Sequence, residues 1–328
     1  MGAVVGVDVG GSGLRLQSAY AGQLGPVRTA PGARIGERGV DVAALVADAA
    51  RLLAEDRSGA GADGTAGAAR AAGDVAVDAV CWSQRGLLFL SDPAEVVAAV
   101  VSGLGAARTA IVGDAVASLV GALGGVRPGA VVAAGTGAVA FGTDFGGEAS
   151  SVWRLVDGWG HVLGDRGSAA WVGLEGLRAG LRRHDGLPDG SERLLVMGES
   201  AFGATSHWPR RVMTGGNAPE LLASFAPHVV EAAEAGDPVA AQICREAGDA
   251  LGQSLLSAAS GIVSPTLVAT GGLLGAEPVR SALAATLEAA GRALTPAMGG
   301  ALEGALILAE LLGETGTIPR HPAYVHLA

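Results

Sequence analysis

Two short glycine turns lie far apart in this chain of 328 residues, and each follows an apolar strand. The first is Asp8-Val9-Gly10-Gly11-Ser12-Gly13, and the second is Gly135-Thr136-Gly137. Glycine has no Cβ and adopts positive φ easily, so such turns fold sharply and can bring backbone N–H groups against a phosphate. Together the two turns predict that one nucleoside triphosphate is held between two domains.

Two side chains of the first turn could act directly. Asp8, at the strand end, could hold Mg²⁺ through water, and Ser12 could donate its hydroxyl to a phosphate oxygen. For this turn taken alone, an ordinary glycine-rich hairpin is an equal alternative. The chain contains no lysine, which excludes a P-loop with its phosphate-binding lysine. Phosphate binding is therefore expected to rest on backbone N–H groups and metal.

Strands and helices alternate along the first part of the chain. Helical and apolar periodicity predicts the following elements in order: a helix at 41–55, a strand at 75–82, a helix at 94–104 and a strand at 109–112. This alternation indicates an α/β fold with a largely parallel sheet, which binds ligands beyond the carboxyl ends of its strands. Asp8, Asp114 and Gly135 all occupy such ends.

A polar, glycine-rich loop follows in the middle of the chain: Gly158-Trp159-Gly160-His161-Val162-Leu163-Gly164-Asp165-Arg166-Gly167-Ser168. Its composition predicts a loop that presents backbone and polar groups to a ligand. After a buried strand at 266–269, Gly271 and Gly272 would let an adenine and ribose lie against backbone. A final apolar helix at 299–312 has Gly300 and Gly304 four residues apart, which suits close packing. The segment 202–217 is expected to be a surface loop.

Composition excludes several classes of protein. The net charge of −10 and the scattered arginines argue against a nucleic-acid surface. Cys81 and Cys244 are far apart and lie in no metal-binding pattern. The chain enters its first strand almost directly, without a signal peptide, and its apolar runs are too short or broken to span a membrane. We therefore expect a cytoplasmic protein.

The ordered motifs resemble the N-acetylglucosamine kinase branch of the BadF/BadG-type ATPase family, within the actin, sugar kinase and heat-shock ATPase superfold. The resemblance runs nearly end to end and is carried by Asp8-x-Gly-Gly-Ser, Asp114-Ala-x-Ala, Gly135-Thr-Gly, Gly158-Trp-Gly-His-x-x-Gly-Asp-x-Gly-Ser, Thr270-Gly-Gly and the closing Gly-Ala-Leu helix. It implies a two-domain, actin-like (ribonuclease H-like) α/β ATPase fold with a nucleotide cleft between the domains. The implied domains are 1–120 and 121–304, with the C-terminal helix 305–328 packing back on the first.

The resemblance also implies ATP and Mg²⁺ as cofactors and a small sugar as substrate, and it allows a homodimer. Asp114 matches the catalytic base, which accepts the proton of a sugar hydroxyl as that hydroxyl attacks the γ-phosphorus. Trp159, Gly160 and Asp165 match the loop that contacts the amino sugar. The alternatives are a helix cap for Asp114 and Asp165, and a core or interface aromatic for Trp159.

Three departures from the family pattern concern the sugar. Arg166 stands where the family usually has Glu. The segment 30–36 lacks the Asn that family members usually carry there. Val139 stands where the mammalian enzyme of the resembled kinase branch has an Asn-like residue. Arg34 or Glu37 could contact the substrate instead. These changes leave nucleotide binding intact, and they leave the sugar and the phosphorylated hydroxyl open.

The sequence therefore favours a sugar kinase, for N-acetylglucosamine or a related amino sugar, that transfers the γ-phosphate of ATP to a hydroxyl. One alternative is an activator ATPase that passes electrons to a dehydratase, which needs cysteines placed for an iron–sulfur cluster. Cys81 and Cys244 do not provide that placement. The other alternative is a non-catalytic sugar or nucleotide sensor, which has no need of a base at Asp114.

Overall fold

The computed structural model describes residues 2–11, 13–33, 35–36, 39–57, 76–87, 91–146 and 151–328. The chain divides into two compact units. The first comprises Met1–Arg127, Asp144–Val152 and Ala297–Ala328, and the second comprises Pro128–Thr143 and Trp153–Pro296. The first unit thus extends beyond residue 120 and includes the C-terminal segment. Ser12, Arg34 and Glu37, all considered above, lie outside the described residues, as does the segment 58–73.

The described strands belong to two main sheets. In chain order they are β1 (Ala3–Val9), β2 (Leu14–Tyr20), β3 (Gln23–Leu24), β4 (Arg28–Ala30), β5 (Ile35–Gly36), β6 (Gly39–Val40), β7 (Val77–Gln84), β8 (Arg108–Gly113), β9 (Gly129–Ala134), β10 (Ala138–Thr143), β11 (Trp153–Asp157), β12 (Thr266–Thr270) and β13 (Val325–Leu327). The first unit has the order β13-β8-β7-β1-β2-β3, with β4 beside β2, and the second has β11-β10-β9-β12. β5 and β6 pair separately.

The described helices are α1 (Val42–Arg57), α2 (Pro93–Leu104), α3 (Asp114–Leu123), α4 (Ala169–His184), α5 (Glu192–Phe202), α6 (Trp208–Thr214), α7 (Ala218–Ala223), α8 (Ala226–Glu234), α9 (Pro238–Ala258), α10 (Glu277–Ala289) and α11 (Ala301–Thr315). Aspartates cap several of them; in α1, Asp41 Oδ1 accepts the Ala44 N–H at 3.1 Å. No helix in the described part of the chain is both long and apolar enough to cross a membrane.

Parallel pairing is confined to part of each sheet. In the first unit, β1, β7 and β8 run parallel, and antiparallel β2 and β13 flank them. In the second unit, β9, β10 and β11 are antiparallel, and only β12 runs parallel to β9 among the described strands. The prediction of a largely parallel sheet is therefore wrong for the second unit, because a turn as short as 135–137 returns the chain antiparallel.

The segment 202–217, expected to be a loop, contains a 3₁₀ turn at Thr205–His207 and helix α6. Trp208 is almost fully buried, and its indole N–H donates to the Gly203 carbonyl at 2.8 Å. The Arg211 guanidinium lies over the Phe202 ring, 5.2 Å from its centroid. The aromatic and cationic side chains of this segment therefore stabilise the helical part of the second unit.

Two glycines let α3 and α11 cross with their backbones in contact. A methyl group at Gly121 would stand 1.8 Å from the Gly300 carbonyl oxygen, and one at Gly304 would stand 1.8 Å from the Ala117 carbonyl oxygen. The predicted close packing is confirmed at Gly304; at Gly300 a methyl group would meet only Glu303 Oε2, at 3.5 Å, and it is the Gly300 carbonyl that lies close to α3. Because α3 begins at Asp114, this crossing fixes the helix that carries the candidate base.

Candidate active site

The three parallel strands of the first unit end in the same row. The last paired row consists of Val9, Gln84 and Gly113. The residues that follow, Gly10, Arg85 and Asp114, therefore emerge together at one edge of the sheet. This is the edge where sheets of this kind bind ligands.

Asp8 lies one row earlier and is almost completely buried. The Arg15 guanidinium donates to Asp8 Oδ2 and forms an ion pair with it, and the Ser83 hydroxyl donates to Oδ1 at 3.3 Å. The pairing follows from register, since Arg15 and Ser83 stand opposite Asp8 on the neighbouring strands. The carboxyl group is thus held in place beside the first turn.

The first turn is closed by its own backbone. The Gly10 N–H donates to the Gly13 carbonyl at 2.9 Å, and the Gly10 carbonyl accepts from the Ala33 N–H at 3.0 Å. Gly10 therefore shapes the turn, and its N–H is already in use. The Gly11 N–H has no acceptor among the described residues, and Gly11 is exposed, so it is the amide of this turn best placed for a phosphate.

Asp114 is the first residue of α3, with Gly113 as the N-cap. Part of the residue remains open to solvent, although protein surrounds most of its carboxyl group. Burial first, and the negative charge of Asp8 second, raise the pKa of Asp114 from 3.8 to about 6, against smaller opposing effects from Arg85 and the N–H groups at the helix start. Asp114 is therefore a carboxylate at neutral pH with an unusually high proton affinity.

Arg85 is a site residue that the sequence analysis missed. Its backbone N–H donates to the Val9 carbonyl at 3.0 Å, which fastens it to the end of β1. A methyl group at Gly11 would stand 2.8 Å from Arg85 Nη1, so the guanidinium lies directly against the first turn. The signal that could have found it is topological, since Arg85 follows a strand parallel to β1.

The second turn has the same closed form as the first. The Gly135 N–H donates to the Gly137 carbonyl at 2.9 Å. The Gly135 and Thr136 carbonyls accept the N–H groups of Ala169 and Ala170, at 2.9 and 3.1 Å, from the first turn of α4. The N–H groups of Thr136 and Gly137 have no partner among the described residues, so they are the amides this turn can offer to a ligand.

Gly271 and Gly272 lie beside this second turn, because β12 is the parallel neighbour of β9. Gly271 has φ of 110°, and a methyl group there would stand 2.2 Å from the Ala134 carbonyl oxygen. Gly271 is thus required by the fold itself. Gly272 has no atom within 4 Å of its missing Cβ, so it presents bare backbone that a ligand could approach.

The glycine-rich loop is fastened at its base by Asp157, another residue that the sequence analysis missed. One Asp157 carboxylate oxygen accepts the Asp165 N–H at 2.7 Å, and the other accepts the Arg166 N–H at 2.9 Å. The Gly160 N–H in turn donates to Asp165 Oδ1 at 3.3 Å. Ser168 caps α4 through its bond from the Trp171 N–H at 3.1 Å. The loop is therefore tied at its base and joined to the helix that holds the second turn.

Asp165 and Trp159 have opposite surroundings within this loop. Asp165 is 5% exposed and Trp159 is 61% exposed, so Trp159 is not a core aromatic in this unit. Arg166, whose charge departs from the family pattern, is also exposed. Gly158 lies against Val139, because a methyl group there would stand 2.9 Å from Val139 Cγ2. The structure thus brings the loop and the second turn together.

The first unit offers a donor set that fits Mg²⁺. Mg²⁺ is usually bound by one or two carboxylates, with water and phosphate oxygens completing its shell. Asp8 and Asp114 supply such carboxylates, and the existing bonds of Asp8 to Arg15 and Ser83 favour contact through water. Within the described residues, no group of three or more His, Cys, Asp or Glu could hold a metal by itself.

Comparisons with known proteins agree with this arrangement. A family model described as the BadF/BadG/BcrA/BcrD ATPase family matches residues 5–309. No curated protein gives a significant match.

Three solved structures illustrate the likeness in fold. A protein from Chromobacterium violaceum, provisionally named an N-acetylglucosamine kinase, is 23% identical over 94% of this chain and 99% of its own, with a TM-score of 0.68. A second with that provisional name, from Porphyromonas gingivalis, is 18% identical over 96% and 100%, with a TM-score of 0.69. A ROK family glucokinase from Streptomyces griseus, in complex with glucose and AMPPNP, is 18% identical over 94% and 99%, with a TM-score of 0.56. The predicted α/β actin-like fold of ATPases and sugar kinases is confirmed.

Proposed function

The chain belongs to the BadF/BadG/BcrA/BcrD ATPase family, and on that premise we propose that it is an ATP-dependent sugar kinase acting on N-acetylglucosamine or a related amino sugar. One observation carries the proposal: Asp114 stands at the edge of the first sheet where sheets of this kind bind ligands, partly open, with its pKa raised to about 6. A carboxylate with that proton affinity is suited to general base catalysis near neutral pH. An aspartate that only capped α3 would not need such surroundings.

In the proposed reaction, Asp114 accepts the proton of a sugar hydroxyl while that oxygen forms a bond to the γ-phosphorus of ATP. The bond from the γ-phosphorus to the bridging oxygen breaks, and ADP leaves with its electron pair. Asp114 then returns the proton to solvent. Little covalent work falls to the protein, so positioning and charge stabilisation supply most of the rate enhancement.

Each unit has backbone amides that could bind phosphate. In the first unit, Gly10 shapes the turn, Gly11 offers its N–H, and Asp8 would hold Mg²⁺ through water. In the second unit, Thr136 and Gly137 offer N–H groups, Gly135 anchors the turn to α4, and Gly271 and Gly272 would lie along the adenosine. Bound Mg²⁺ would neutralise charge on the transferred phosphoryl group.

The sugar would be bound by the loop that Asp157 fastens. Asp165, nearly buried and bonded to the Gly160 N–H, would accept hydrogen bonds from sugar hydroxyls, and the Trp159 segment would contact the ring through its backbone. Arg166 stands where the family usually has Glu, but its side chain is exposed, so this difference is compatible with sugar binding by the loop. The cytoplasm is the compartment that we propose, and a homodimer stays a prediction.

Turnover in the presence and absence of sugar tests the function. We would measure ADP release with Mg²⁺ and ATP against N-acetylglucosamine, glucosamine, N-acetylmannosamine, glucose and muramic-type sugars. The wild type should show sugar-dependent turnover, and Asp114→Asn should lower it by about 100-fold or more. Asp92→Asn is the matched control, because Asp92 is an exposed cap of α2 in the same unit. Sugar-independent hydrolysis, or unchanged turnover in Asp114→Asn, would contradict the proposal.

The activator alternative is less well supported. The chain has only two cysteines, Cys81 and Cys244, which lie in different units, and both are buried. Burial raises the pKa of both thiols, which disfavours the thiolate that iron requires. The sensor alternative is distinguished by the same assay, since it predicts nucleotide or sugar binding without turnover.

A further inference from the structure

A positively charged side chain lies at the first glycine turn, although the chain contains no lysine. The Arg85 guanidinium lies against Gly11, whose lack of a Cβ leaves the space it occupies. Resting on the proposed function, we propose that Arg85 binds the terminal phosphate of the nucleoside triphosphate. It thereby takes the part that lysine takes in P-loop proteins.

Strand register is the first support for this assignment. Arg85 follows β7, which lies between β1 and β8, so it emerges between the first turn and Asp114. The terminal phosphate must come close to the base, because the attacking hydroxyl lies between them. A cation placed between the turn and the base is therefore in the right position for that phosphate.

The availability of the charge is the second support. Arg15 is also near the turn, but its guanidinium is committed to Asp8. Among the described residues, no carboxylate lies within ion-pair distance of Arg85. Its positive charge nevertheless acts on this site, since it lowers the pKa of Asp114. A guanidinium that is not engaged in an ion pair can form charge-assisted, bidentate bonds to the oxygens of a phosphate bound at the first turn.

The backbone around Arg85 is held rigidly, which is the third support. Gln84 is fully buried, accepts the Trp82 indole N–H at 3.0 Å and donates to the Ser91 hydroxyl at 2.7 Å. The Arg85 N–H is fastened to Val9. Because the backbone of Arg85 is already fixed, its side chain needs less ordering when the phosphate binds, and this favours affinity.

Binding measurements without sugar test this assignment apart from sugar turnover. We would titrate wild type, Arg85→Gln and Arg85→Lys with Mg²⁺-AMPPNP and Mg²⁺-ADP by calorimetry. Arg85→Gln should bind AMPPNP about tenfold or more weakly and ADP within about threefold of wild type, because only the triphosphate has the terminal group. Arg85→Lys should retain part of the AMPPNP affinity. Arg51→Gln, an exposed arginine on α1 paired with Asp48 and Glu55, is the control for loss of charge.

A measurement on the unmodified protein covers the case in which Arg85→Gln does not fold. Phenylglyoxal modifies arginine, and peptide mapping reports each site separately. AMPPNP should slow modification of Arg85 more than ADP does, without protecting Arg178 on α4. Equal protection by both nucleotides, or wild-type AMPPNP affinity in a folded Arg85→Gln, would overturn the assignment. If Arg85 distinguishes AMPPNP from ADP in this way but no sugar is turned over, the assignment of Arg85 stands and the proposed kinase function is wrong.

Discussion

At the scale of single residues, Asp114 has the largest expected effect on both activity and stability, because its surroundings favour protonation of its carboxyl group. Burial and the nearby Asp8 charge both raise its pKa, to about 6, and the charge of Arg85 limits the rise. The ionised form that catalysis needs is therefore costly for the folded state. This opposition between stability and activity is common at functional sites.

The proposed kinase activity should depend on pH through Asp114. Only the ionised carboxylate accepts the hydroxyl proton, so kcat/KM, which reports the pKa of the free protein, should be constant well above pH 6. It should fall roughly tenfold per pH unit below that value. A pH profile of kcat/KM checks this expectation. An acid limb with its midpoint near 4 would show that the pKa of Asp114 is not raised.

Removing this charge should stabilise the fold. A carboxyl whose folded pKa is raised binds its proton more tightly in the native state than in the unfolded state, so its ionisation destabilises the protein above about pH 6. Asp114→Asn should therefore raise Tm by a few degrees at pH 8, and by less at pH 5. Thermal unfolding of both proteins at the two pH values checks this, with Asp92→Asn as the control. A lower Tm at pH 8 would contradict it.

At the scale of elements, the crossing of α3 and α11 links packing to the site. Gly121 and Gly304 bring the two backbones into direct contact, and α3 begins at the candidate base. The Gly113 N–H also donates to the Tyr324 carbonyl at 3.1 Å, beside β13. Three elements of the first unit thus fix the position of Asp114.

Adding one methyl group at the crossing should disturb both stability and activity. In Gly304→Ala the new Cβ would meet the Ala117 carbonyl, so α11 must move, at a cost of roughly 1–3 kcal/mol or more. We expect a lower urea midpoint and a lower kcat, because α3 must shift with it. Gly125→Ala, which meets no atom within 4 Å, is the control. Unchanged stability in Gly304→Ala would show that the helices separate easily.

Elements with strong periodicity could be predicted from the sequence, and their ends could not. The helix expected at 94–104 is α2 at Pro93–Leu104, whereas the strand expected to end at Trp82 continues to Gln84. The difference matters for Arg85, because a strand that ends at Trp82 does not place Arg85 directly after the sheet, whereas the strand that ends at Gln84 does. The role of Asp157 was also hidden, because it depends on backbone groups eight and nine residues later in the chain.

At the scale of the whole molecule, the two units share a local design. Each presents a glycine turn closed by its own backbone, in the first unit at Gly10 and in the second at Gly135. Repetition of the motif along the sequence was sufficient to predict both turns. Helices α5 to α9 were not predicted, because no motif marks them; among the described residues, their apolar side chains pack into the core of the second unit.

Nucleotide binding should stabilise the whole molecule, and Mg²⁺ should be required for the full effect. A ligand at about 100 times its Kd adds about 2.7 kcal/mol of stability, which corresponds to a rise in Tm of about 5 °C. We expect this rise with AMPPNP and Mg²⁺, and less than half of it with AMPPNP and EDTA. Thermal unfolding with each addition checks the expectation. Equal shifts with and without Mg²⁺ would argue against a metal at Asp8.

The candidate base and the glycine-rich loop at 158–168 are fastened unequally, and under the proposed function this has a consequence for how the protein could diverge. Asp114 is fixed by backbone contacts of α3, α11 and the segment before β13, so few neighbouring substitutions leave it in place. Val162 and Leu163 are 78% and 83% exposed on the loop that Asp157 fastens at its base, so their side chains can be exchanged at little cost to folding. If the proposed function holds, evolution of new sugar preferences should therefore accumulate changes at the tip of this loop while the chemistry of phosphoryl transfer is inherited unchanged.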